Sequence, residues 1–317
     1  MSERFIAVTG ATGAQGGGLA RAILEGDAFA VRALTRKPDS EKARALADAG
    51  AEVVAADLDD AASLRRALEG AWGAFFVTSY WEYFSPEREL AQARNMVAAS
   101  RGIGLQHVIW STLEDTREQV PLTDDRMPTL MERYKVPHFD AKGESDAMFA
   151  EAGLPVTFLR ASFYWENFIY FGQGPRRAED GTLELVLPMG NKRLAGVAAK
   201  DIGRVAYGIL RRSPSLIGQT VGVAGEHLTG TEMAAKMSAA LGEQVRYGDI
   251  SPAAYRALGF PGADDLGNMF QYYQDFEREL AEVRSVERSR ALNPELQDFD
   301  AWLRENAHLL VVEQTTG

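Results

Sequence analysis

Residues 4–24 read RFIAVTGATGAQGGGLARAIL, an apolar run followed by a glycine-rich stretch and an amphipathic segment. This pattern predicts a strand, a tight turn and a helix, in that order. The free N–H groups and the positive dipole end of such a helix face the turn, so the turn can bind an anion such as a pyrophosphate. We expect Gly10 to permit the turn, Gly13 to let a ligand approach the backbone, and Gly16 to bring helix and strand into contact.

The place of this stretch, between a strand and a helix, favours a dinucleotide-binding loop over an ordinary turn. The predicted loop comprises Gly10, Ala11, Thr12, Gly13, Ala14, Gln15 and Gly16. The second predicted strand, residues 30–35, ends in Arg36 and Lys37. An acid at this place binds the ribose 2′-hydroxyl of NAD, whereas a basic residue accommodates the 2′-phosphate of NADP. No acid stands at the tip of this strand, so NADP(H) is the predicted cofactor; two solvated end residues are the alternative.

The composition is typical of a soluble globular protein, since 46% of the 317 residues are hydrophobic and 25% are charged. The first apolar run is short and no small-residue cleavage site follows it, so no signal peptide is predicted. No apolar stretch is long enough to span a bilayer. These features predict a cytoplasmic protein that has no membrane partner.

The chain contains no cysteine, which excludes disulfides, thiolate nucleophiles and sulfur-ligated metals. Its four histidines are scattered, with no pair at helical metal spacing, so no metal site is predicted. The formal net charge of −11 argues against direct binding to nucleic acid. The expected partners are a nicotinamide dinucleotide and either a protein partner or a small-molecule substrate, and the expected state is a monomer or a homodimer.

Apolar strands alternate with helical segments along the first half of the chain. After residues 30–35, strands are predicted at 52–56, 74–78, 107–111 and 156–160, and helices at about 60–69, 86–102 and 139–152. The alternation predicts an α/β fold, a Rossmann-type doubly wound parallel sheet with both faces covered. The carboxyl ends of its strands share one edge, where the ligand crevice lies.

Two domains are predicted. An NADP(H)-binding Rossmann domain spans residues 1–160, and a short strand and a helix return to it at about 189–213. A smaller α/β C-terminal cap domain, which would bind substrate, spans residues 161–188 and 214–317.

The predicted cap has four recognisable elements, two strands and two helices. A strand is expected at 220–223, followed by a helix that the capping box of Thr229 and Glu232 opens. A further strand is expected at 245–250, and the next helix begins at Ser251-Pro252, with Ser as N-cap and Pro at the first helical position.

Polar residues follow the predicted strands at the crevice edge. They are Asp57, Thr78, Ser79, Tyr80, Ser111 and Thr112. Asp57 could accept a hydrogen bond from the adenine amino group or cap the next helix, and the two interpretations are compatible. Beyond the sixth strand, residues 162–168 read SFYWENF. This aromatic run is either core packing or, because it carries Glu and Asn at the expected mouth of the crevice, a pocket wall.

The run VTGATGAQGG at residues 8–17 resembles the signature of the NmrA-like proteins, atypical members of the short-chain dehydrogenase/reductase superfamily. Four further stretches resemble the branch typified by the human NmrA-like redox sensor HSCARG. They are VTSYWE at 77–82, HFDAKGE at 138–144, YWEN at 164–167 and LGFPGA at 258–263. The resemblance covers the chain from about residue 5 to about residue 305.

This resemblance implies that NADP(H) is held by the loop from Gly10 to Gln15, by Arg36 and by Asp57-Leu58. The residues that complete the implied site are Thr78, Ser79, Tyr80, Lys142, Tyr164, Trp165, Glu166 and Asn167. The loop from Asp115 to Pro137 is longer than in the human relative, which leaves its role open.

Short-chain dehydrogenases of the common type use Tyr-x-x-x-Lys on a helix, which places both side chains on one face. None of the ten tyrosines here has Lys four residues later, and the residue four before Lys142 is His138. Lys142 therefore either anchors the cofactor while His138 caps the helix, or one of the two is a catalytic proton donor. The missing Tyr favours a redox-responsive sensor or regulator; the alternative is an NADPH-dependent reductase of a small carbonyl, quinone or imine.

Overall fold

A computed structural model describes residues 4–310 of the chain. Its strands are β1 (Phe5–Val8), β2 (Ala30–Thr35), β3 (Glu52–Ala55), β4 (Gly73–Phe76), β5 (His107–Thr112), β6 (Val156–Arg160), β7 (Phe163–Tyr164), β8 (Arg176–Arg177), β9 (Leu183–Leu187), β10 (Arg193–Val197), β11 (Thr220–Gly222), β12 (Glu226–Thr229) and β13 (Val245–Asp249). Its α-helices are α1 (Ala14–Glu25), α2 (Glu41–Asp48), α3 (Ala61–Leu68), α4 (Pro86–Ser100), α5 (Pro137–Glu151), α6 (Asn167–Tyr170), α7 (Ala199–Arg211), α8 (Gly230–Leu241), α9 (Pro252–Arg256), α10 (Ala263–Asp275), α11 (Glu277–Val283), α12 (Val286–Leu292) and α13 (Phe299–Asn306).

The chain divides into two units. The first consists of the described residues up to Gln119, Pro137–Ala161 and Lys200–Gly222. The second consists of Val120–Val136, Ser162–Ala199 and the described residues from Val223 onward. These boundaries differ from the predicted ones chiefly at Val120–Val136, a segment predicted to belong to the Rossmann domain.

The first unit is built on a seven-stranded sheet in the order β11-β6-β5-β4-β1-β2-β3. Every neighbouring pair of its strands is parallel. Strands β4 and β5 are buried along their whole length, as expected for the centre of a sheet whose two faces are covered by helices. The predicted Rossmann-type α/β fold is confirmed, and the carboxyl ends of these strands lie along one edge.

Two short strands were assigned to the wrong sheet by the sequence analysis. The strand at Arg193–Val197 does not return to the large sheet; it lies between β12 and β7 in a small sheet of the second unit. The strand at Thr220–Gly222, predicted for the cap, is the edge of the large sheet, where it pairs with β6. Both are three- to five-residue strands, and their partners are set by long-range pairing that periodicity cannot show.

The second unit contains two three-stranded sheets, β12-β10-β7 and β13-β9-β8. The predicted capping box is confirmed, since Thr229 Oγ1 accepts a hydrogen bond from Glu232 N and the Glu232 carboxylate accepts one from Thr229 N. Ser251 caps α9 as predicted, with Pro252 at its first position.

Residues 120–136 are fastened within this unit by α10. The Asn268 side chain donates hydrogen bonds to the carbonyl oxygens of Pro128, at 2.9 Å, and Lys135, at 2.6 Å. Asn268 is fully buried, so these backbone carbonyls are satisfied away from water. The long segment is thus an integral part of the second unit.

Two kinds of feature are absent from residues 4–310. No helix there is long and apolar enough to cross a membrane. No group of three or more His, Cys, Asp or Glu side chains is arranged to hold a metal ion in the same range.

Candidate functional site

The glycine-rich turn has the geometry that its sequence predicts. Gly10 has a φ of +60°, and a Cβ at this position would lie 2.8 Å from Val77 Cγ1. A Cβ at Gly16 would lie 2.5 Å from the Gly10 carbonyl oxygen and closer still to that of Thr9. Helix α1 therefore approaches the turn more closely than any larger residue allows.

The first turn of α1 has no side-chain cap. Its N-cap is Gly13, which supplies no side-chain hydrogen bond to the helix, so the first N–H groups are not capped from within. The turn is also held in position by Thr9, the residue after β1. Thr9 Oγ1 accepts a hydrogen bond of 2.8 Å from Val77 N in the segment after β4. On the same helix Gln15 is buried, and its Oε1 accepts a hydrogen bond of 2.7 Å from Ser111 Oγ at the end of β5.

The basic residue after β2 is paired with an acid that the sequence analysis missed. Arg36 Nη2 donates a 2.5 Å hydrogen bond to Glu82 Oε1, and Arg36 also donates to the Tyr83 hydroxyl. The hydrogen bond to Glu82 raises the pKa of Arg36, so the guanidinium stays charged. Lys37 is exposed, and its backbone N–H donates to Thr35 Oγ1. Glu82 is 46 residues from Arg36 in the chain, and no spacing rule would have joined the two.

Asp57 does not cap the helix that follows it, which corrects one of the two interpretations given above. The N-cap of α3 is Asp60, whose carboxylate accepts from Ala62 N at 2.9 Å. The Asp57 carboxylate accepts instead from Asp59 N at 3.0 Å and so shapes the turn after β3. Leu58 is held in the same turn, where its carbonyl accepts from Asn95 Nδ2.

A buried polar cluster is formed by Thr78, which follows β4, by Glu89 in the first turn of α4 and by Lys142 in α5. Lys142 Nζ donates to Thr78 Oγ1 at 2.5 Å and lies 2.8 Å from Glu89 Oε1. The Thr78 hydroxyl donates to the same Glu89 oxygen. The side chain of Glu89 is 2% exposed, and its second oxygen, Oε2, is buried with no hydrogen-bond partner among residues 4–310. The cluster thus keeps the Lys142 ammonium largely out of contact with water, and the Glu89 carboxylate compensates its charge.

Glu89 is the member of the cluster that sequence reasoning missed. A signal was present, because Glu89 shares the helical spacing of Ala93 and Met96, two fully buried residues of α4. An acid on the buried stripe of a helix requires a cation or a set of donors as partner. Lys142 is that partner.

His138 packs among aromatic rings. Its ring centroid lies 4.7 Å from that of Trp81 and 5.8 Å from that of Tyr80. Helix α5 begins at Pro137, so His138 lies inside the first turn and does not precede the helix as the capping hypothesis requires. Ser79 stands at the start of the short 3₁₀ helix formed by Tyr80–Glu82. The structure thus brings Tyr80 to His138 and Thr78 to Lys142.

One turn beyond Lys142 on α5 lies Asp146, a partly buried acid. Its Oδ1 accepts hydrogen bonds from Thr112 Oγ1 at 2.6 Å and from Trp110 Nε1 at 2.9 Å. Burial raises the pKa of Asp146 to about 7, although the Thr112 hydrogen bond and the charge of Arg160 act in the opposite direction. Near neutral pH this carboxyl is therefore half protonated.

Asp146→Asn is expected to remove a pH dependence of stability. Because the pKa of Asp146 rises from 3.8 when unfolded to about 7 when folded, its contribution is complete below pH 3.8 and is lost as the pH rises through 7. The loss amounts at most to roughly 4 kcal/mol of the free energy of unfolding. Urea unfolding of both proteins between pH 4 and pH 8 measures it. A constant difference between the two proteins over that range would contradict the prediction.

The segment Tyr164–Asn167 belongs to the second unit, and its Trp165 and Glu166 side chains contact other residues of that unit. Trp165 is buried, with its ring centroid 5.2 Å from that of Phe299 and 6.0 Å from that of Trp302. The Glu166 carboxylate accepts from Ala199 N at 2.9 Å and from Trp302 Nε1 at 3.1 Å. The contacts of Trp165 support core packing, which was one of the two interpretations of the aromatic run. Cofactor binding by Tyr164, Trp165, Glu166 and Asn167 stays a prediction.

Comparison with known proteins gives a match over most of the chain. A family model described as the NmrA-like family matches residues 2–303. The NmrA-like family domain-containing oxidoreductase FrzB of Cladobotryum sp is 29% identical over 294 residues, 85% of this chain and 84% of FrzB. The NAD(P)H azoreductase of Xenophilus azovorans is 30% identical over 273 residues, 84% of this chain and 86% of that protein.

Among solved structures, the negative transcriptional regulator NmrA in complex with NADP has a TM-score of 0.78 at 22% identity, covering 96% of this chain and 95% of NmrA. At this identity the likeness concerns the fold. The closeness to the human HSCARG branch stays a prediction.

Proposed function

The chain belongs to the NmrA-like family, and on that premise we propose that it binds NADP(H) with its first unit and reduces a small carbonyl, quinone or imine. The observation that carries the proposal is the buried Lys142–Thr78–Glu89 cluster, which holds an ammonium group beyond the carboxyl end of β4. Two relatives of the chain, the oxidoreductase FrzB and the NAD(P)H azoreductase, support a reduction by a nicotinamide dinucleotide.

The first unit offers groups that fit a dinucleotide. The glycine turn packs against α1 more closely than a Cβ would permit, and the uncapped N–H groups of α1 suit a pyrophosphate. Arg36 offers a guanidinium for a 2′-phosphate, and the turn after β3 offers Asp57 and Leu58 to the adenine side. The solved complex of NmrA with NADP supports the choice of ligand.

The residues of the cluster have separate tasks in this proposal. When bound, the nicotinamide ring supplies a hydride. Lys142 holds a proton at Nζ and passes it towards substrate directly or through Thr78 Oγ1, which it contacts at 2.5 Å. Glu89 pairs with the ammonium at 2.8 Å and holds it in place. His138 is the weaker candidate for proton donor, because Tyr80 and Trp81 pack against its ring.

NADPH consumption with a panel of aldehydes, quinones and imines tests the proposal. We expect turnover of at least one compound, a fall in kcat of roughly 10²- to 10⁴-fold in Lys142→Met, and near-normal turnover in His138→Gln. Calorimetry must show that Lys142→Met still binds NADPH, so that the loss is assigned to chemistry. Tight NADPH binding by the wild-type chain without consumption by any compound would contradict a reductase.

A redox-responsive regulator is the second candidate, favoured by the contacts of residues 80–83. Glu82 and Tyr83 hold Arg36, while Tyr80 and Trp81 pack on His138. One short segment therefore connects the residue proposed for the 2′-phosphate with the start of the helix that carries Lys142. This candidate expects different proteolysis and scattering profiles with NADPH and with NADP⁺; identical profiles would exclude it.

A further inference from the structure

The ion pair of Arg36 and Glu82 joins two groups that dinucleotide-binding domains use separately. An acid in this region accepts a hydrogen bond from the ribose 2′-hydroxyl of NAD, whereas an arginine binds the 2′-phosphate of NADP. The end of β2 supplies only the arginine, and the short 3₁₀ helix after β4 supplies the acid. Arg36 Nη2 and Glu82 Oε1 lie 2.5 Å apart, so both groups are at one place.

Only one of the two carboxylate oxygens of Glu82, Oε1, accepts hydrogen bonds from the described residues. Arg36 Nη2 and the Tyr83 hydroxyl both donate to Oε1, the latter at 2.9 Å. Oε2 takes no hydrogen bond from the described residues, and the side chain is 41% exposed. Burial alone would raise the pKa of Glu82, but the hydrogen bonds from Arg36 and Tyr83 outweigh it and hold that pKa below its usual value. The free oxygen is thus a charged acceptor within reach of solvent.

The neighbouring Arg88 adds no excess of positive charge, because an acid compensates it. Arg88 lies over the Tyr83 ring, with its Cζ 3.4 Å from the ring centroid, and pairs with Asp59. Two guanidinium groups therefore face two carboxylates. A 2′-phosphate that approaches Arg36 must compete with Glu82 for the same donors, which reduces the advantage of NADP.

We infer that Glu82 is the specificity-determining carboxylate of this site, accepting the 2′-hydroxyl of NAD(H) through Oε2 and opposing the 2′-phosphate of NADP(H), so that the chain binds both nucleotides. This inference rests on the proposed dinucleotide site. It revises the expectation from sequence, where Arg36 without an acid at the strand tip favoured NADP(H).

Calorimetric titration of the whole chain with NADP⁺ and NAD⁺ tests the inference. For the wild type we expect Kd values within about tenfold of each other, since each nucleotide gains one charged hydrogen bond. Glu82→Gln keeps the size of the side chain and removes its charge. It should weaken NAD⁺, strengthen NADP⁺ and shift the ratio of their Kd values by roughly ten- to hundredfold towards NADP⁺. Arg36→Gln should shift the ratio the other way.

The matched control is Glu243→Gln. Glu243 is also a partly exposed acid paired with an arginine, Arg177, but it lies in the second unit. It should leave the ratio unchanged. A ratio unaffected by Glu82→Gln, or a wild-type preference for NADP⁺ beyond about a thousandfold, would overturn the inference and leave the proposed function standing. Absence of heat with either nucleotide would overturn both.

Discussion

Gly16→Ala is expected to weaken NADPH binding by roughly a hundredfold or more, because a misplacement of about 1 Å in a binding loop can have that effect. A Cβ at this position would lie 2.5 Å from Gly10 O and 2.6 Å from Gly10 C, and these are backbone atoms that cannot rotate away. Helix α1 and the turn must therefore separate, which moves the N–H groups proposed to hold the pyrophosphate. Calorimetry with NADPH measures the change.

The sign of the stability change makes the result specific. In an isolated helix, Ala in place of Gly stabilises by about 1 kcal/mol. Here we expect a destabilisation of about 1–3 kcal/mol, since the crowded site must expand. The control is Gly267→Ala, in α10 of the second unit, where a Cβ would crowd the Arg256 side chain. It should lower stability and leave the Kd of NADPH unchanged. Normal NADPH binding by a folded Gly16→Ala chain would refute the proposed loop.

Lys142→Met and Glu89→Leu are each expected to lower the free energy of unfolding by about 3–5 kcal/mol, because each leaves the other charge buried and unpaired. The two side chains are 10% and 2% exposed, so water screens the remaining charge poorly. The double variant removes both charges and should be more stable than the sum of the single effects predicts, by at least about 2 kcal/mol. Urea unfolding of the four proteins gives this coupling energy.

The exposed pair of Arg278 and Glu282 is the control for this cycle. Its side chains are 86% and 65% exposed, and its 3.0 Å contact lies on one helical face. The same cycle at this pair should give a coupling of at most about 0.5 kcal/mol. Additive effects at Lys142 and Glu89 would mean that the two charges are not coupled, and the cluster would then lose its role in holding the proton donor.

Local pattern was sufficient for six of the seven strands of the large sheet and for the glycine turn. The apolar runs of β1 to β6 are separated by helices, and the order of these elements leaves few topologies. Gly10 and Gly16 could be assigned roles because the turn between a parallel strand and a helix has one common geometry.

The sequence pattern gave no correct prediction where a residue distant in the chain determines which sheet a strand joins or which ion pair a side chain forms. Strands β10 and β11 are each no longer than five residues, and only their long-range pairing separates the small sheet from the large one. Glu82 and Glu89 are likewise defined by Arg36 and Lys142, which are 46 and 53 residues away in the chain. Ion pairs of this kind need the fold before they can be seen.

The way the backbone alternates between the two units has a consequence for the order of folding during synthesis. It passes from one unit to the other after residues 119, 136, 161, 199 and 222. The large sheet lacks its edge strand until Thr220–Gly222 has left the ribosome, so the sheet of the first unit cannot be completed before most of the chain has been made. Truncation after residue 161 would therefore yield an incomplete sheet with β6 as an unprotected edge, prone to aggregate.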